Sequence, residues 1–337
     1  MSTNQGLHRA SLFTVVLLFL ALLSAPSSQA KWKYQRLGKD ADSLAKPVGG
    51  FALMGGGSKL DEAFKFLCER ANGGDFLVLS ANDDDAYLTK ENAKIKAICP
   101  LNSAATLSFF SREDSDDPKV VQIIEHAESI FIAGGDQSDY VRFWQDTPVQ
   151  NAINRHIASG KPIGGSSAGL AILGEFSFAS MIDTIHSPEA LADPYGNKVT
   201  LTREFLMIPL LANTITDTHF VKRDRLGRLL VFMARILQDG WTTRVRAIAV
   251  EENASVLIDL DGAAKVVGEG PAYFLEADAP PEVCTHKKTL TFSKIAIQRV
   301  APNQSFQITK WQGQGDSYTL SVTNGAVKSS SATHNPY

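Results

Sequence analysis

Short runs of consecutive apolar residues alternate with amphipathic stretches along most of the chain. Five of these runs predict buried strands, at residues 49–54, 76–79, 105–109, 129–132 and 162–165. The stretches between them predict helices, among them one from Ser58 onward, one at residues 118–127 and one at residues 149–159. Continuous apolar strands separated by helices are typical of a parallel sheet with helices on both faces. The pattern therefore predicts an α/β fold that binds its ligands at the carboxyl ends of the strands.

After residue 240 the pattern changes to strands that follow one another through short turns. These strands are predicted at residues 247–250, 255–258, 264–267, 289–300 and 317–322. No linker rich in glycine, proline or serine precedes them, so we expect extra strands on the same sheet. Residues 31–325 are thus predicted to form one α/β domain, followed by a flexible tail at residues 326–337.

The apolar run nearest the start of the chain has a different character. Residues 12–23 are apolar, follow His8 and Arg9, and precede a stretch of small residues that ends at Ala30. A positive flank, an apolar core and a small-x-Ala site are the parts of a secretory signal peptide. As a helix the run spans roughly 18 Å, short of the ~30 Å of hydrocarbon that a membrane-spanning helix must cross. We expect cleavage near Ala30 and a secreted or periplasmic protein free of the membrane afterwards, with an uncleaved anchor as the alternative.

Composition and charge narrow the classes of function. The 337 residues include 33 lysines and arginines against 36 aspartates and glutamates, so the formal net charge is −3. Without a basic excess, no nucleic-acid partner is expected. Three cysteines are too few for a disulfide scaffold, and a Cys68–Cys99 disulfide and buried free thiols are equally compatible with the sequence.

One short motif points to nucleophilic catalysis. Residues 165–169 read Gly-Ser-Ser-Ala-Gly, which fits G-x-S-x-G, directly after a predicted strand and before a helical run from Leu170. In that context a tight turn holds the serine hydroxyl out of the sheet. We therefore predict that Ser167 is a nucleophile and that the amide of Ala168 and the helix N-terminus face the oxyanion. A tight turn without chemistry is the alternative.

A serine nucleophile needs a base, and two of the seven histidines are candidates. His219 follows an apolar region and begins a helical stretch, whereas His186 lies in a polar turn. On this basis His219 is favoured. Arg223 and Arg225 follow closely and suit a bidentate clamp on a carboxylate, whereas Arg228 also fits the polar face of the next helix. These residues suggest acyl transfer on an acidic peptide.

Four stretches together resemble the cyanophycinase-like members of peptidase family S51, relatives of dipeptidase E with a class I glutamine-amidotransferase-like fold. They occur in the family's order between Val48 and about Ile258. The stretches are residues 131–137 (Phe-Ile-Ala-Gly-Gly-Asp-Gln), residues 164–169, residues 217–228 with Asp-Thr-His-Phe at their start, and residues 247–254 around Glu-Glu-Asn.

The resemblance implies a role for each matching residue. Ser167 would be the nucleophile, His219 the general base, and the amides of Gly135 and Ala168 the oxyanion hole. The residues expected to bind substrate are Gln137, Asp217, Thr218, Arg223, Arg225 and Arg228. The acid that orients the base is expected between the serine and the histidine in the chain. We choose Glu189, with Asp183 second and Glu252, which follows the histidine, as a third possibility, and sequence spacing leaves the choice open.

The substrate implied by the resemblance is cyanophycin, a polymer with an aspartate backbone and arginines on its β-carboxyls, cut to β-Asp-Arg dipeptides. Two departures from the family favour a related β-aspartyl or acidic peptide instead. Thr218 stands where cyanophycinases usually have glutamine, and residues 190–202 resemble an insertion. No cofactor and no metal are expected, and a homodimer stays an open expectation. An α/β-hydrolase-type esterase and a catalytically inactive binding protein on the same fold are the alternative functions.

Overall fold

Two β-sheets organise the described part of the chain, which covers residues 1–2, 32–58, 61–81 and 85–337 of this computed structural model. Apart from residues 1–2, the predicted signal peptide lies outside the described residues. Residues Lys31–Tyr337 form one unit. Its strands are β1 (Lys33–Gly38), β2 (Phe51–Met54), β3 (Asp75–Ser80), β4 (Ser103–Ser108), β5 (Ser129–Ile132), β6 (Ile163–Ser166), β7 (Phe176–Phe178), β8 (Leu201–Arg203), β9 (Thr214–Asp217), β10 (Val245–Val250), β11 (Ala254–Ile258), β12 (Ala263–Gly268), β13 (Ala272–Ala277), β14 (Phe292–Val300), β15 (Ser305–Gln307), β16 (Gln312–Gly313), β17 (Asp316–Thr323) and β18 (Ala326–Ser329).

The helices lie between the strands of the first half and become rare after residue 240. They are α1 (Asp61–Arg70), α2 (Asp85–Ile98), α3 (Pro118–His126), α4 (Gln137–Trp144), α5 (Pro148–Ala158), α6 (Ala168–Ala171), α7 (Ser187–Ala192) and α8 (Leu226–Gln238). Short 3-10 turns occupy Glu113–Asp116 and Pro209–Leu211. Within the described ranges, none of these helices is long and apolar enough to cross a membrane.

The first sheet contains the predicted parallel strands. Its order is β1-β4-β3-β5-β6-β2-β11-β12-β15-β16. The five strands from β4 to β2 in that order run parallel, and they coincide with the five apolar runs of the sequence. Every residue of these five strands is buried, which explains why the runs carry no polar alternation. The prediction of a mostly parallel α/β sheet is confirmed for this half.

The second sheet was not expected. Its order is β18-β17-β14-β13-β10-β9-β7-β8, and only the pairs β9–β10 and β7–β9 are parallel. The strands after residue 240 therefore divide between two sheets instead of extending one. Helix α8 explains the division, because eleven of its residues are buried and a helix that is apolar on most sides needs cover from more than one layer. It packs in a second core with β10, β13 and β14.

Residues 326–337 do not form the flexible tail that the sequence predicts. Strand β18 pairs with β17, and the ring of Tyr337 packs edge-on against Phe220 and Tyr273. The Tyr337 hydroxyl donates to a carboxylate oxygen of Asp224 at 2.6 Å and accepts from the amide of Leu226 at 3.1 Å. This segment thus packs on the loop that leads from β9 to α8.

A disulfide links the first two helices of the described chain. Cys68 on α1 is bonded to Cys99, which directly follows α2, and their Cα atoms are 6.2 Å apart. The sequence is compatible with either a disulfide or free thiols at these two positions, and the structure has the disulfide. Cys284 is a buried free thiol.

We expect the disulfide to stabilise the fold by restricting the unfolded chain. It closes a loop of 31 residues, for which chain entropy predicts about 3–4 kcal/mol of unfolding free energy. Denaturant unfolding with and without reductant measures this directly. The double variant Cys68→Ala, Cys99→Ala is the control, because its unfolding should not respond to reductant. Equal stability of the oxidised and reduced parent chain would contradict the prediction.

Candidate active site

Ser167 lies in a strained turn between β6 and α6. Its backbone has φ 53° and ψ −114°, a conformation that residues other than glycine rarely adopt, and its amide donates to the carbonyl of Met54 at 3.1 Å. Gly165 and Gly169 approach each other so closely that a Cβ on Gly165 would lie 2.5 Å from the carbonyl carbon of Gly169. A Cβ on Gly169 would in turn lie 2.1 Å from the carbonyl oxygen of Ile132, so the turn that presents the Ser167 hydroxyl needs both glycines of the motif.

The helix after the nucleophile is shorter than predicted. Helix α6 comprises the four residues Ala168–Ala171, whereas the sequence predicts a helical run that begins at Leu170. A single turn has little macrodipole, so an oxyanion here would depend on individual amides. The turn at Gly134–Gly135 lies beside the nucleophile, since a Cβ on Gly134 would be 3.5 Å from the Cβ of Ser167. Gly135 directly follows Gly134, and Ala168 directly follows Ser167. The two residues whose amides are predicted to form the oxyanion hole are therefore chain neighbours of residues at this site.

His219 lies within hydrogen-bond distance of Ser167. It follows β9, is 6 % exposed, and its amide donates to the carbonyl of Gly55 at 2.9 Å. The Oγ of Ser167 and the Nε2 of His219 are 2.7 Å apart. The structure therefore brings the predicted nucleophile and the predicted base together.

Glu252, not Glu189, contacts the base. Strands β9 and β10 are parallel neighbours with Asp217 opposite Ala249, so the residues after both strands meet at one edge of the sheet. There an oxygen of Glu252 lies 2.6 Å from the Nδ1 of His219. This contact is on the opposite side of the imidazole from Ser167, as orientation of a base requires.

The structure contradicts the choice of Glu189. That carboxylate is 48 % exposed and lies 3.5 Å from the ammonium of Lys198. Asp183 pairs with the same lysine at 3.3 Å. The error came from expecting the acid between serine and histidine in the chain. The signal that could have found it is the Glu-Glu-Asn sequence at residues 251–253, directly after a predicted strand.

The neighbours of Glu252 fix the loops around the base. The carboxylate of Glu251 accepts hydrogen bonds from the amides of Val221 and Lys222, just after His219. The amide of Asn253 donates to the carbonyl of Gly56 at 2.8 Å, and its side-chain oxygen accepts from the amide of Ser58 at 3.0 Å. All three residues of this motif thus hold loops of the candidate site.

The pKa of His219 is lowered from its usual 6.5. Burial of the imidazole is the main cause, and the positive charges of Arg223 and Arg225 act in the same direction, whereas the hydrogen bond that the imidazole donates to Glu252 opposes them. The neutral imidazole, which can accept a proton from Ser167, is therefore the form favoured at neutral pH.

A polar cavity of about 400 Å³ lies beside the Gly135 turn. Of the residues predicted to bind substrate, Gln137, Arg223 and Arg225 line it, and the amide group of Gln137 is held by a 3.2 Å hydrogen bond to the carbonyl of Phe178. Arg142 also lines it, a residue that sequence reasoning missed because it lies on α4 with no motif around it. The three arginines carry more charge than Asp136 and Asp183, the two acidic residues of the lining. The cavity therefore favours an anionic group.

Asp217, Thr218 and Arg228 lie behind the cavity and do not line it. Asp217 and Arg228 form a bidentate ion pair and are 2 % and 3 % exposed. Arg225 donates to the hydroxyl and the carbonyl of Thr218, both at 2.9 Å. Burial of its guanidinium, together with the nearby positive charges of Arg228 and Arg223, lowers the pKa of Arg225 to about 10. The group therefore stays charged at neutral pH. Asp217 and Thr218 thus hold Arg225, and Arg228 pairs with Asp217, so the structure gives these three residues a supporting position instead of the predicted place in the cavity lining.

Among the described residues, no group of three or more histidine, cysteine, aspartate or glutamate side chains could hold a metal ion.

Comparisons with known proteins agree with the geometry. The sequence profile of peptidase family S51 matches residues 59–192. The resemblance to peptidase family S51 is confirmed. The chain is also 26 % identical over 211 residues to a protein named cyanophycinase from Nostoc sp., covering 62 % of this chain and 64 % of that one. Another cyanophycinase, from Synechococcus elongatus, is 26 % identical over 208 residues and 60 % of each chain.

The chain thus spans less than two thirds of the length of these cyanophycinases. A crystal structure of a peptidase from an acI-B1 Actinobacterium superposes with a TM-score of 0.52 and 18 % identity, over 77 % of this chain and 97 % of that one. This likeness concerns the fold alone, and it confirms the α/β class expected from the sequence.

Replacing Glu252 by glutamine should reduce turnover by about 10³- to 10⁴-fold, because an amide cannot stabilise the imidazolium or hold the productive tautomer. Glu189→Gln is the matched control and should leave turnover within about twofold. The kcat of the purified variants on an acidic peptide substrate measures both. A larger loss for Glu189→Gln than for Glu252→Gln would reverse the assignment.

The reaction of Ser167 with a fluorophosphonate should depend on pH through His219. Reactivity requires neutral imidazole, which prevails above the pKa of His219 and is lost as the pH falls through it. The half-maximal rate should therefore lie below pH 6.5, the usual pKa of histidine.

The variant Arg223→Gln should move that midpoint upward, since it removes a charge that disfavours the imidazolium. Arg155→Gln is the control, because Arg155 is exposed and pairs with Glu125. A midpoint above 6.5 in the parent chain, or one that Arg223→Gln leaves in place, would show that this electrostatic account is wrong.

Proposed function

We propose that the chain is a secreted serine exopeptidase of cyanophycinase type, which hydrolyses cyanophycin or a related β-aspartyl peptide. The observation that carries the proposal is the continuous series of contacts from Ser167 through His219 to Glu252, at 2.7 and 2.6 Å. The match to peptidase family S51 and the likeness to proteins named cyanophycinase support the same reaction class.

In the proposed reaction, the Oγ of Ser167 attacks the scissile carbonyl carbon while its proton passes to the Nε2 of His219. Glu252 stabilises the imidazolium that forms. The amides of Gly135 and Ala168 donate to the carbonyl oxygen as it becomes negative. His219 then protonates the leaving nitrogen, the C–N bond breaks and an acyl ester remains on Ser167. Water, deprotonated by His219, hydrolyses that ester and restores the serine.

The polar cavity supports an acidic acyl group. Arg223 and Arg225 enter it from the loop after His219, and Arg142 enters from α4. The carboxylate of an aspartyl residue attached to Ser167 would meet these guanidinium groups. Gln137, held toward this cavity by its bond to Phe178, supplies a further polar contact for the substrate backbone.

Two features support the proposal of export. Residues 1–30 have the charge and apolar pattern of a signal peptide. The Cys68–Cys99 disulfide fits an oxidising compartment outside the cytosol. An exported enzyme of this type would degrade polymer that other cells release.

Residues 31–337 should release β-Asp-Arg from purified cyanophycin, and Ser167→Ala should lower the rate by about 10³-fold or more because it removes the nucleophile. Release is followed by chromatography of the soluble products, with Ser166→Ala as the matched control.

If the chain does not cut cyanophycin but cleaves other acidic peptides, the proposal of a peptidase stands and cyanophycin is excluded as its substrate. Cleavage of a simple acyl ester alone would favour the esterase. No reaction of Ser167 with either substrates or a fluorophosphonate would favour a binding protein.

A further inference from the structure

Ser180 places a hydroxyl at the polar cavity described above. It lines this cavity together with Arg142, Arg223 and Arg225, and it is 9 % exposed. Among the described residues, its hydroxyl has no hydrogen-bond partner. Buried polar groups in folded proteins are nearly always paired, because an unpaired group has lost its bonds to water without replacement. A ligand in the cavity can supply the missing partner.

The backbone of Ser180 is in a conformation that few side chains favour. Its φ is 52°, in the left-handed region, where a Cβ crowds the following carbonyl oxygen. Glycine adopts this region freely, and asparagine or aspartate tolerates it better than serine does. A serine at this position therefore makes the fold less stable than a glycine would, and such strained positions cluster where proteins bind or react.

Thr200 holds the chain on both sides of Ser180. The amide of Ala179 donates to the carbonyl of Thr200 at 2.8 Å, and the amide of Met181 donates to its hydroxyl at 2.9 Å. Thr200 belongs to residues 190–202, the stretch that resembles an insertion. The left-handed conformation is thus fixed by neighbouring bonds, and the hydroxyl of Ser180 is positioned before a ligand binds.

The carbonyls near Ser180 hold two other polar groups of the cavity. The carbonyl of Met181 accepts from the guanidinium of Arg142 at 2.7 Å. The carbonyl of Phe178 accepts from the amide group of Gln137 at 3.2 Å. The segment at residues 178–181 therefore forms one wall of the cavity, which holds Gln137 and Arg142 and adds the hydroxyl of Ser180.

The charges of the lining decide what this hydroxyl can bind. Arginine side chains only donate hydrogen bonds, so the group that they bind must accept several at once. Both acidic residues of the lining already have partners. Asp183 pairs with Lys198 at 3.3 Å, and Asp136 accepts from the amide of Ser138 at 2.9 Å. A carboxylate of a ligand can accept from the arginines and from Ser180 together.

We infer that Ser180 is a specificity-determining residue, whose hydroxyl donates a hydrogen bond to the substrate carboxylate that the arginines of the polar cavity bind. The inference rests on the proposed function and names a contact that recognises the β-aspartyl unit. β-Asp-Arg carries free carboxylates when it is released, so it binds through the same contact. Ser180 acts on binding and takes no part in the proton transfers at Ser167.

Isothermal titration calorimetry of the purified chain with β-Asp-Arg and with succinate tests the contact without turnover. Ser180→Ala should raise the Kd of both ligands by about tenfold or more, because a hydrogen bond to a charged acceptor is lost. With a short soluble oligomer of cyanophycin as substrate, the same variant should raise KM by about tenfold and leave kcat within about twofold.

Ser180→Gly separates the hydroxyl from the strained backbone. It should raise the Kd as much as Ser180→Ala does and also raise the Tm, since glycine adopts the same φ without strain. Lys287→Gly is the matched control, because Lys287 is exposed, has a φ of 58° and does not line the cavity. This variant should gain stability while its Kd stays at the parent value.

The outcomes separate this inference from the proposed function. If the chain releases β-Asp-Arg from cyanophycin but both Ser180 variants bind the ligands with the parent Kd, the inference is wrong and the peptidase proposal stands. If the chain cuts no peptide but Ser180→Ala still weakens the binding of succinate, the role of Ser180 stands and the peptidase proposal fails. Failure of both ligands to bind the parent chain, or a lower Tm for Ser180→Gly, would also overturn the inference.

Discussion

The loop at residues 55–57 joins the two sheets by its backbone, and the whole site depends on that junction. The carbonyl of Gly55 accepts from the amide of His219, and the carbonyl of Gly56 accepts from the amide of Asn253. The loop continues β2, the parallel neighbour of β6, which leads to Ser167. Backbone hydrogen bonds therefore set the distance between Ser167, which follows a strand of one sheet, and His219 and Glu252, which follow strands of the other. A side chain on Gly56 would displace the imidazole itself.

Charge is arranged so that the base stays neutral while the substrate cavity stays positive. The buried pair of Asp217 and Arg228 lies beneath the site, and removal of either partner would leave an uncompensated buried charge. Next to it Arg225 is held by Thr218. The nearby arginines lower the pKa of His219, and the contact with Glu252 limits that effect. The same guanidinium groups that would bind an acidic acyl group thus also adjust the base.

Local patterns predicted Ser167 and His219, which the structure brings together, but they did not predict contacts that depend on topology. G-x-S-x-G identifies Ser167 because the motif and its strand are contiguous. Glu252 was ranked third, since its place beside His219 follows from the parallel pairing of β9 and β10, which periodicity does not reveal. The second sheet was missed for the same reason. Tyr337 was assigned to a flexible tail because its partners, Phe220 and Asp224, are more than a hundred residues away.

The central claim is that Ser167 is activated by a histidine that Glu252 orients. Peptide mapping of the chain after reaction with a fluorophosphonate tests it most directly, with parent, Ser166→Ala and Glu252→Gln compared at equal times. The account predicts one adduct, on Ser167, formed at the parent rate in Ser166→Ala and far more slowly in Glu252→Gln. An adduct on Ser166 or at another position, or labelling of Ser167 that does not depend on Glu252, would contradict it.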